Sequence, residues 1–254
     1  ADAGTTIDLD ASGIRPVNYN NAWIDTETGE QADRRAFAGM KAGMNAGVVG
    51  NSVETVTYSI EGEGAYLETI SDDLLAQEEI DAFREGKTDI LEHANLQRSK
   101  SFTLDYDDVA LENGMQVSDV PAILNIYLKV PVPDKTLSNW DVALSTEDFA
   151  AGRTASMNAS AALDIAGSEV LATCKLSITA TFTDGSAQTK TYAIGLVPDY
   201  EKRITDYWNA VNESGYDYEL AMANDEEPSD EARAKAEAGP EEPALYTLTE
   251  IAES

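Results

Sequence analysis

The alternation of apolar and polar residues is clearest between Cys174 and Leu196. Every second residue from Cys174 to Phe182 is apolar, with lysine, serine or threonine between, which is the pattern of a strand with one buried face. The alternation resumes from Tyr192 to Leu196. Both apolar sets share a face only if the loop has an odd number of residues, so the sequence predicts a hairpin with the loop 183–185 and Gly185 in a left-handed conformation. The predicted register pairs Leu176 with Tyr192 and Cys174 with Ile194.

Shorter alternating segments predict further strands. They lie at 56–60, 65–70, 102–106 and 124–130. Gly62 and Gly64 predict a turn between the first two, and Asn113 followed by Gly114 predicts another. The prolines at 121, 131 and 133 predict the ends of the 124–130 strand or an edge position for it.

Helical spacing of apolar residues predicts helices within this β-rich chain. One is predicted at 74–85, with capping residues at 71–73, and another at about 199–212, ending before Gly215. A looser candidate spans 31–44. Gly39 and Gly43 weaken that helix by about 1 kcal/mol each.

These elements predict a mainly β protein, an antiparallel β-sandwich with helical insertions at 72–86 and 199–212. The segment from Val53 to Leu67 is similar in pattern to strands of immunoglobulin-like surface modules, so an immunoglobulin-like sandwich is one version of the prediction. The likeness is too short to identify a family. Two small β-sandwich domains, or an α+β fold, are the alternatives.

The predicted organisation has three parts. Residues 1–222 form a β-rich body with a potential internal boundary near 115–120. Residues 223–243 form an acidic linker rich in Pro, Ala and Glu, in which Ser229 caps a short helix at 230–238 and Gly239 ends it. Residues 244–254 are strand-like, and either dock onto the body or begin another module.

The net charge narrows the classes of partner. The chain has 47 acidic and 17 basic residues, a net charge of −30, and a pI near 4.1. This charge repels nucleic acid and anionic lipid, and no apolar run reaches the length of a membrane span. A well-solvated surface explains the acidity most simply. Cation binding, a polycationic partner and solubility in high salt are the alternatives.

The first residues and the cysteine content bear on the compartment. The chain begins at Ala1 without an initiating methionine, which favours a mature form that has lost a targeting segment. Its single cysteine, Cys174, excludes an internal disulfide. We therefore expect an extracellular or cell-surface protein that relies on its core for stability.

Candidate nucleophiles and bases are scarce. His93 is the only histidine and follows a predicted helix, where an exposed loop residue is expected rather than a catalytic base. Cys174 lies on the apolar side of its strand, where a buried, unreactive thiol is expected. One histidine and one cysteine do not make a zinc site. No catalytic residue, metal ligand or cofactor is assigned from the sequence.

Carboxylates and tryptophans leave two hypotheses open. Asp105, Asp107 and Asp108 would converge on Ca²⁺ if they met at a strand end, although a chance cluster is expected in so acidic a chain. Sugar rings stack on tryptophan, but packing is the more common role, and Trp208 has helical partners that place it in the core. The other tryptophans are Trp23 and Trp140.

The combined features favour a non-catalytic, secreted or cell-surface binding or structural protein. Its ligand is unknown, with protein and glycan as the two classes considered. The alternative is a carbohydrate-binding module, or a polysaccharide-active enzyme that uses paired carboxylates about 5 to 9 Å apart.

Overall fold

The computed structural model describes residues 18–21, 33, 35–44, 48, 50, 52–70, 97–109, 111–112, 115–116 and 123–251. The strands are β1 (Asn18–Asn21), β2 (Phe37–Met44), β3 (Val53–Glu61), β4 (Ala65–Ile70), β5 (Gln97–Ser99), β6 (Ser101–Asp105), β7 (Leu111–Glu112), β8 (Met115–Gln116), β9 (Ile123–Pro131), β10 (Lys175–Phe182), β11 (Ala187–Leu196) and β12 (Tyr246–Ile251). The helices, numbered within these residues, are α1 (Tyr106–Val109), α2 (Asp134–Ser145), α3 (Phe149–Leu171), α4 (Tyr200–Ala223) and α5 (Asp230–Ala238).

Two antiparallel sheets and long helices make the fold mixed α+β. Within the described residues the first sheet has the order β1-β2-β9-β4-β5 and the second the order β12-β11-β10-β3-β6, with β7 and β8 as a separate pair. The prediction of a mainly β protein therefore understates the helical content. Neither α2 nor α3 was predicted. Helix α3 is built largely from alanine, serine and glycine, so its apolar positions repeat weakly.

The inner faces of both sheets contribute to one buried cluster. Met40, Leu67 and Ile126 come from the first sheet, and Tyr58 and Ile178 from the second. Helix α3 adds Leu163 and Leu171 to the same cluster. The alternating strands are thus explained by burial, since each contributes every second side chain to this shared core.

The two sheets are connected at a corner formed by β3–β4 and β5–β6. The turn at Gly62 and Gly64 takes the chain from the second sheet to the first, and Lys100 marks the return. The Lys100 ammonium donates to the carbonyl oxygens of Gly62 and Ala65. Gly64 has a φ of +68°, and a Cβ there would lie 2.8 Å from the backbone oxygen of Lys129. Glycine is therefore required by both conformation and space.

The predicted hairpin is confirmed. Strands β10 and β11 pair Leu176 with Tyr192, and the amide of Ile194 donates to the carbonyl of Cys174 at 3.3 Å. The loop is 183–185, and Gly185 has a φ of +82°. Ser186 accepts from the amide of Phe182 at 2.8 Å, which closes the three-residue loop.

The candidate helix at 31–44 is wrong where the structure describes it, since Phe37–Met44 is strand β2. Phe37, Met40 and Met44 fit helical spacing, but Met40 also fits an alternation with Ala38 and Ala42, and these three are buried. Pairing with β9 along the whole strand stabilises this segment more than helix formation would, because the helix would contain two glycines. Strand β9 itself lies between β2 and β4, so Pro131 marks its end rather than a sheet edge, and Pro121 lies outside the described residues.

The helix predicted at 199–212 exists but continues to Ala223. Gly215 lies inside it rather than beyond its end. A Cβ on Gly215 would lie 2.7 Å from Nη2 of Arg153 on α3, whose guanidinium donates to the carbonyl oxygens of Val211 and Asn212 and pairs with Glu219. The glycine makes room for this buried arginine, so it does not act as a helix terminator.

The short helix at Asp230–Ala238 is confirmed, and Ser229 caps it by accepting from the amide of Ala232 at 3.1 Å. Strand β12 pairs with β11. Strands from both sides of 115–120 share the sheets, since β9 pairs with β2 and β4 and β10 pairs with β3. The division of the chain into domains stays a prediction, and the predicted helix at 74–85 lies outside the described residues.

Candidate functional surface and buried charged groups

The outer face of the second sheet carries rows of hydroxyl side chains. On β10, β3, β11 and β6 the positions that alternate with the core residues are mostly threonine or serine. One row runs Thr191, Ser177, Ser59 and Ser101; the next runs Thr189, Thr179, Thr57 and Thr103; the third contains Thr181 and Thr55. We call these residues the hydroxyl face. None of them is buried.

Hydrogen bonds across neighbouring strands hold this face in order. The hydroxyls of Thr57 and Thr103 lie 2.8 Å apart, and those of Thr179 and Thr189 also 2.8 Å. Ser177 and Thr191 form a third such pair at 2.9 Å. One hydrogen bond between two hydroxyls uses one O–H, so each pair keeps a donor and several lone pairs for other groups. The face can therefore both donate and accept hydrogen bonds.

Charged side chains lie at the margins of the hydroxyl face. Asp105 pairs with Thr55 at one end of the third row. Lys175 pairs with Glu61, two residues along each strand from Ser177 and Ser59 of the first row. All three are exposed. The rows themselves are uncharged, in a chain whose net charge is −30.

The size of the hydroxyl face follows from strand geometry. Four strands with neighbours ~4.8 Å apart give a width of about 14 Å, and three rows at every second residue give a length of about 14 Å. The area of the hydroxyl face is therefore about 200 Å², with Asp105 at one corner. It lies on the outer surface of an antiparallel ladder.

A buried carboxyl, Asp164, lies between α3 and α4. It is 5% exposed, and its Oδ2 accepts from Nε1 of Trp208 at 2.7 Å. Burial raises the pKa of Asp164 to about 7, and the bond from Trp208 opposes this rise. The pKa of Tyr207 is also raised, first by burial and then by the negative charges of Glu242 and Asp164. This carboxyl changes charge near neutral pH, inside the protein.

A second buried carboxylate, Glu68 on β4, is neutralised by two cations. Lys41 Nζ lies 2.6 Å from Oε1, and Arg98 Nε lies 2.9 Å from Oε2. The Arg98 guanidinium carbon is 3.5 Å from the ring centroid of Tyr127. The charge of this carboxylate is compensated on both oxygens, so removal of either cation would leave a buried charge less well paired.

A shallow depression of about 490 Å³ lies beside the start of α4. Two of its lining carboxylates are paired with cations, Asp206 with Lys202 at 2.5 Å and Asp199 with Arg203 at 2.9 Å, and the third, Glu201, accepts from the Tyr200 hydroxyl at 3.3 Å. The depression therefore presents local ion pairs, and neither Asp164 nor Glu68 lines it.

The structure does not bring the sequence candidates together. Cys174 is buried, and burial raises the pKa of its thiol, as expected for an unreactive cysteine. Trp140 packs against the main core, and Trp208 packs near Ile204 and bonds Asp164. His93 and Trp23 lie outside the described residues.

The three aspartates considered for Ca²⁺ lie in two different elements. Asp105 ends β6, and Asp107 and Asp108 lie in the short helix α1. Within the described parts of the chain, these three included, there is no group of three or more His, Cys, Asp or Glu side chains that could hold a metal ion.

Sequence reasoning missed Asp164 and the hydroxyl face. The sequence offers one indication of Asp164, an acidic residue flanked directly by leucine and isoleucine in a helix rich in alanine. The hydroxyl face had a stronger one, the threonines and serines that alternate with the apolar positions of the predicted strands. Their arrangement in rows depends on the order of the strands, which the local sequence does not specify.

Comparison with known protein families, curated proteins and solved structures finds no match for this chain. In the described residues no helix is long and apolar enough to cross a membrane.

Proposed function

We propose that this chain is a non-catalytic binding or structural protein of the cell exterior, and that it docks its ligand on the hydroxyl face. The observation that carries the proposal is an ordered, uncharged and solvent-accessible set of hydroxyls on a chain with a net charge of −30. Acidic side chains keep the molecule soluble, and one face is left free of them.

Preorganisation supports a binding role for this face. Its threonines are β-branched and lie on a regular sheet, where their rotamers are restricted. The pairs Thr57–Thr103 and Thr179–Thr189 are already hydrogen-bonded to each other. A ligand therefore loses little affinity to the ordering of side chains.

The finer description of the fold belongs to the same proposal. We propose that the two sheets form a β-sandwich of immunoglobulin-like type. Support comes from Tyr58 and Ile178 of one sheet and Met40 and Ile126 of the other, which belong to one buried cluster. The exterior location is proposed from the solubilising charge of −30.

A hydrolysis screen tests the non-catalytic part of the proposal. The protein is incubated with plant and animal polysaccharides and released reducing ends are measured. We expect none above a heat-treated control. Clear turnover that is lost in a carboxylate variant would replace the proposal by the alternative, a polysaccharide-active enzyme with paired carboxylates.

A further inference from the structure

We propose that the hydroxyl face binds a neutral polysaccharide, an inference that rests on the proposed binding function. The rows of threonine and serine on β11, β10, β3 and β6 form a continuous array of hydrogen-bonding groups. The charge, size and chemistry of this array each bear on what occupies it.

Charge separates neutral from charged ligands. A polyanion is repelled by a body with a net charge of −30. A polycation is attracted, but to the carboxylates, which are absent from the rows and lie at their margins as Asp105 and Glu61. The uncharged rows therefore fit a ligand without charge.

Size separates a narrow polymer from a protein. The hydroxyl face covers about 200 Å², whereas a stable protein–protein interface covers about 800 Å² on each partner. A protein partner would have to extend over the charged margin. A second copy of this chain would bring a body with the same net charge of −30 against this one, which like-charge repulsion disfavours. An extended chain of a few sugars can lie within the area available.

Hydrogen-bonding chemistry favours sugars among neutral polymers. Sugar hydroxyls both donate and accept, as do those of Thr57, Thr179 and their neighbours. Each paired hydroxyl on the face can keep its cross-strand bond and still accept from the ligand. Exposed hydrogen bonds contribute little each, so we expect weak binding per site that is best seen on an insoluble polymer with many repeats.

The test measures retention on insoluble neutral polysaccharides, namely cellulose, chitin and β-1,3-glucan, with pectate as the acidic control. The variant is Thr57→Val with Thr179→Val, since valine keeps the branched shape and removes the hydroxyl. Thr183→Val, in the exposed loop beside the face, is the matched control. We expect retention on at least one neutral polymer, a fall of about fivefold or more in the double valine variant, and no change in the control.

A serine variant, Thr57→Ser with Thr179→Ser, keeps the hydroxyls and separates hydrogen bonding from folding. It should retain binding, and circular dichroism melting should show all variants folded. Retention on none of the neutral polymers, or equal retention of the valine variant and the wild type, would overturn the inference. Retention that the valine substitutions leave unchanged would place binding on another surface, so it would overturn the inference and leave a binding function standing.

Discussion

Replacement of Asp164 by Asn should stabilise the protein at neutral and alkaline pH. Burial raises the pKa of this carboxyl from 3.8 to about 7 in the folded state, whereas in the unfolded chain it ionises near ~3.9. The folded protein therefore binds this proton more tightly. As pH rises from about 4 to about 7, the unfolded chain releases the proton first, and the free energy of unfolding falls.

The magnitude follows from the two pKa values. A tenfold difference in proton affinity corresponds to about 1.4 kcal/mol, so ionisation of Asp164 costs up to about 4 kcal/mol above pH 7. Asparagine does not ionise, and its side-chain oxygen can still accept from Trp208, which lies 2.7 Å from Oδ2 of Asp164. Its extra amide protons impose a cost of about 1 to 3 kcal/mol if unpaired, but this cost does not change with pH.

The measurement therefore follows how the difference in free energy of unfolding between variant and wild type changes with pH. Urea unfolding, followed by circular dichroism, gives the free energy of unfolding of Asp164→Asn and wild type between about pH 5 and about pH 8, above the pI of 4.1. The difference between variant and wild type should grow in favour of the variant by about 2 to 3 kcal/mol over this range. Asp217→Asn, which removes an exposed carboxyl from α4, is the matched control. A difference for Asp164→Asn that is flat with pH, or equal to the control, would refute the buried, proton-retaining carboxyl.

Two further predictions concern the corner and the charge. Gly64→Ala should lower the free energy of unfolding by about 2 to 4 kcal/mol, because the new Cβ would lie 2.8 Å from the backbone oxygen of Lys129. Gly185→Ala should lower it by only about 1 kcal/mol, because Gly185 has a φ of +82° but nothing within 4 Å of its Cβ position. Equal losses in urea unfolding would contradict this reasoning. The melting temperature should rise with NaCl, because the screening length falls from ~30 Å at 0.01 M to ~10 Å at 0.1 M. Ca²⁺ and Mg²⁺ should raise the melting temperature equally at the same ionic strength. A rise specific to Ca²⁺ that is lost in Asp107→Asn would restore the calcium hypothesis.

Local pattern was sufficient for the elements in which one strong signal decides. The hairpin register follows from the parity of its apolar positions, and the pairing of Leu176 with Tyr192 agrees with it. The cap at Ser229 and the helix Asp230–Ala238 follow from turn and capping chemistry. In these segments local preference and final structure favour the same conformation.

Other elements depended on tertiary contacts that the local sequence does not specify. Phe37–Met44 has residues at both helical and strand spacing, and its pairing with β9 decides for a strand. Gly215 resembles a glycine that ends a helix, but it lies inside α4, where its missing side chain leaves space for Arg153 of α3. Helix α3 was missed because small residues let it pack closely, which leaves a weak apolar pattern.

The candidate surface was only half accessible to sequence reasoning. The alternating threonines of β10 and β11 were evident, but Thr57 and Thr103 join the row only because β3 lies beside β10 and β6 lies beside β3. The raised pKa of Asp164 likewise depends on burial between helices that are distant in the chain, and the bond from Trp208, 44 residues further along, opposes the rise.

NMR of threonine methyl groups tests most directly whether the hydroxyl face is the binding surface. Methyl-labelled protein is titrated with a neutral oligosaccharide derived from a polymer that retains it. Thr57, Thr179 and Thr189 should show the largest shifts, and buried Thr136 and helical Thr205 should show none. Shifts confined to threonines outside the hydroxyl face, or no shifts at saturating oligosaccharide, would contradict the account.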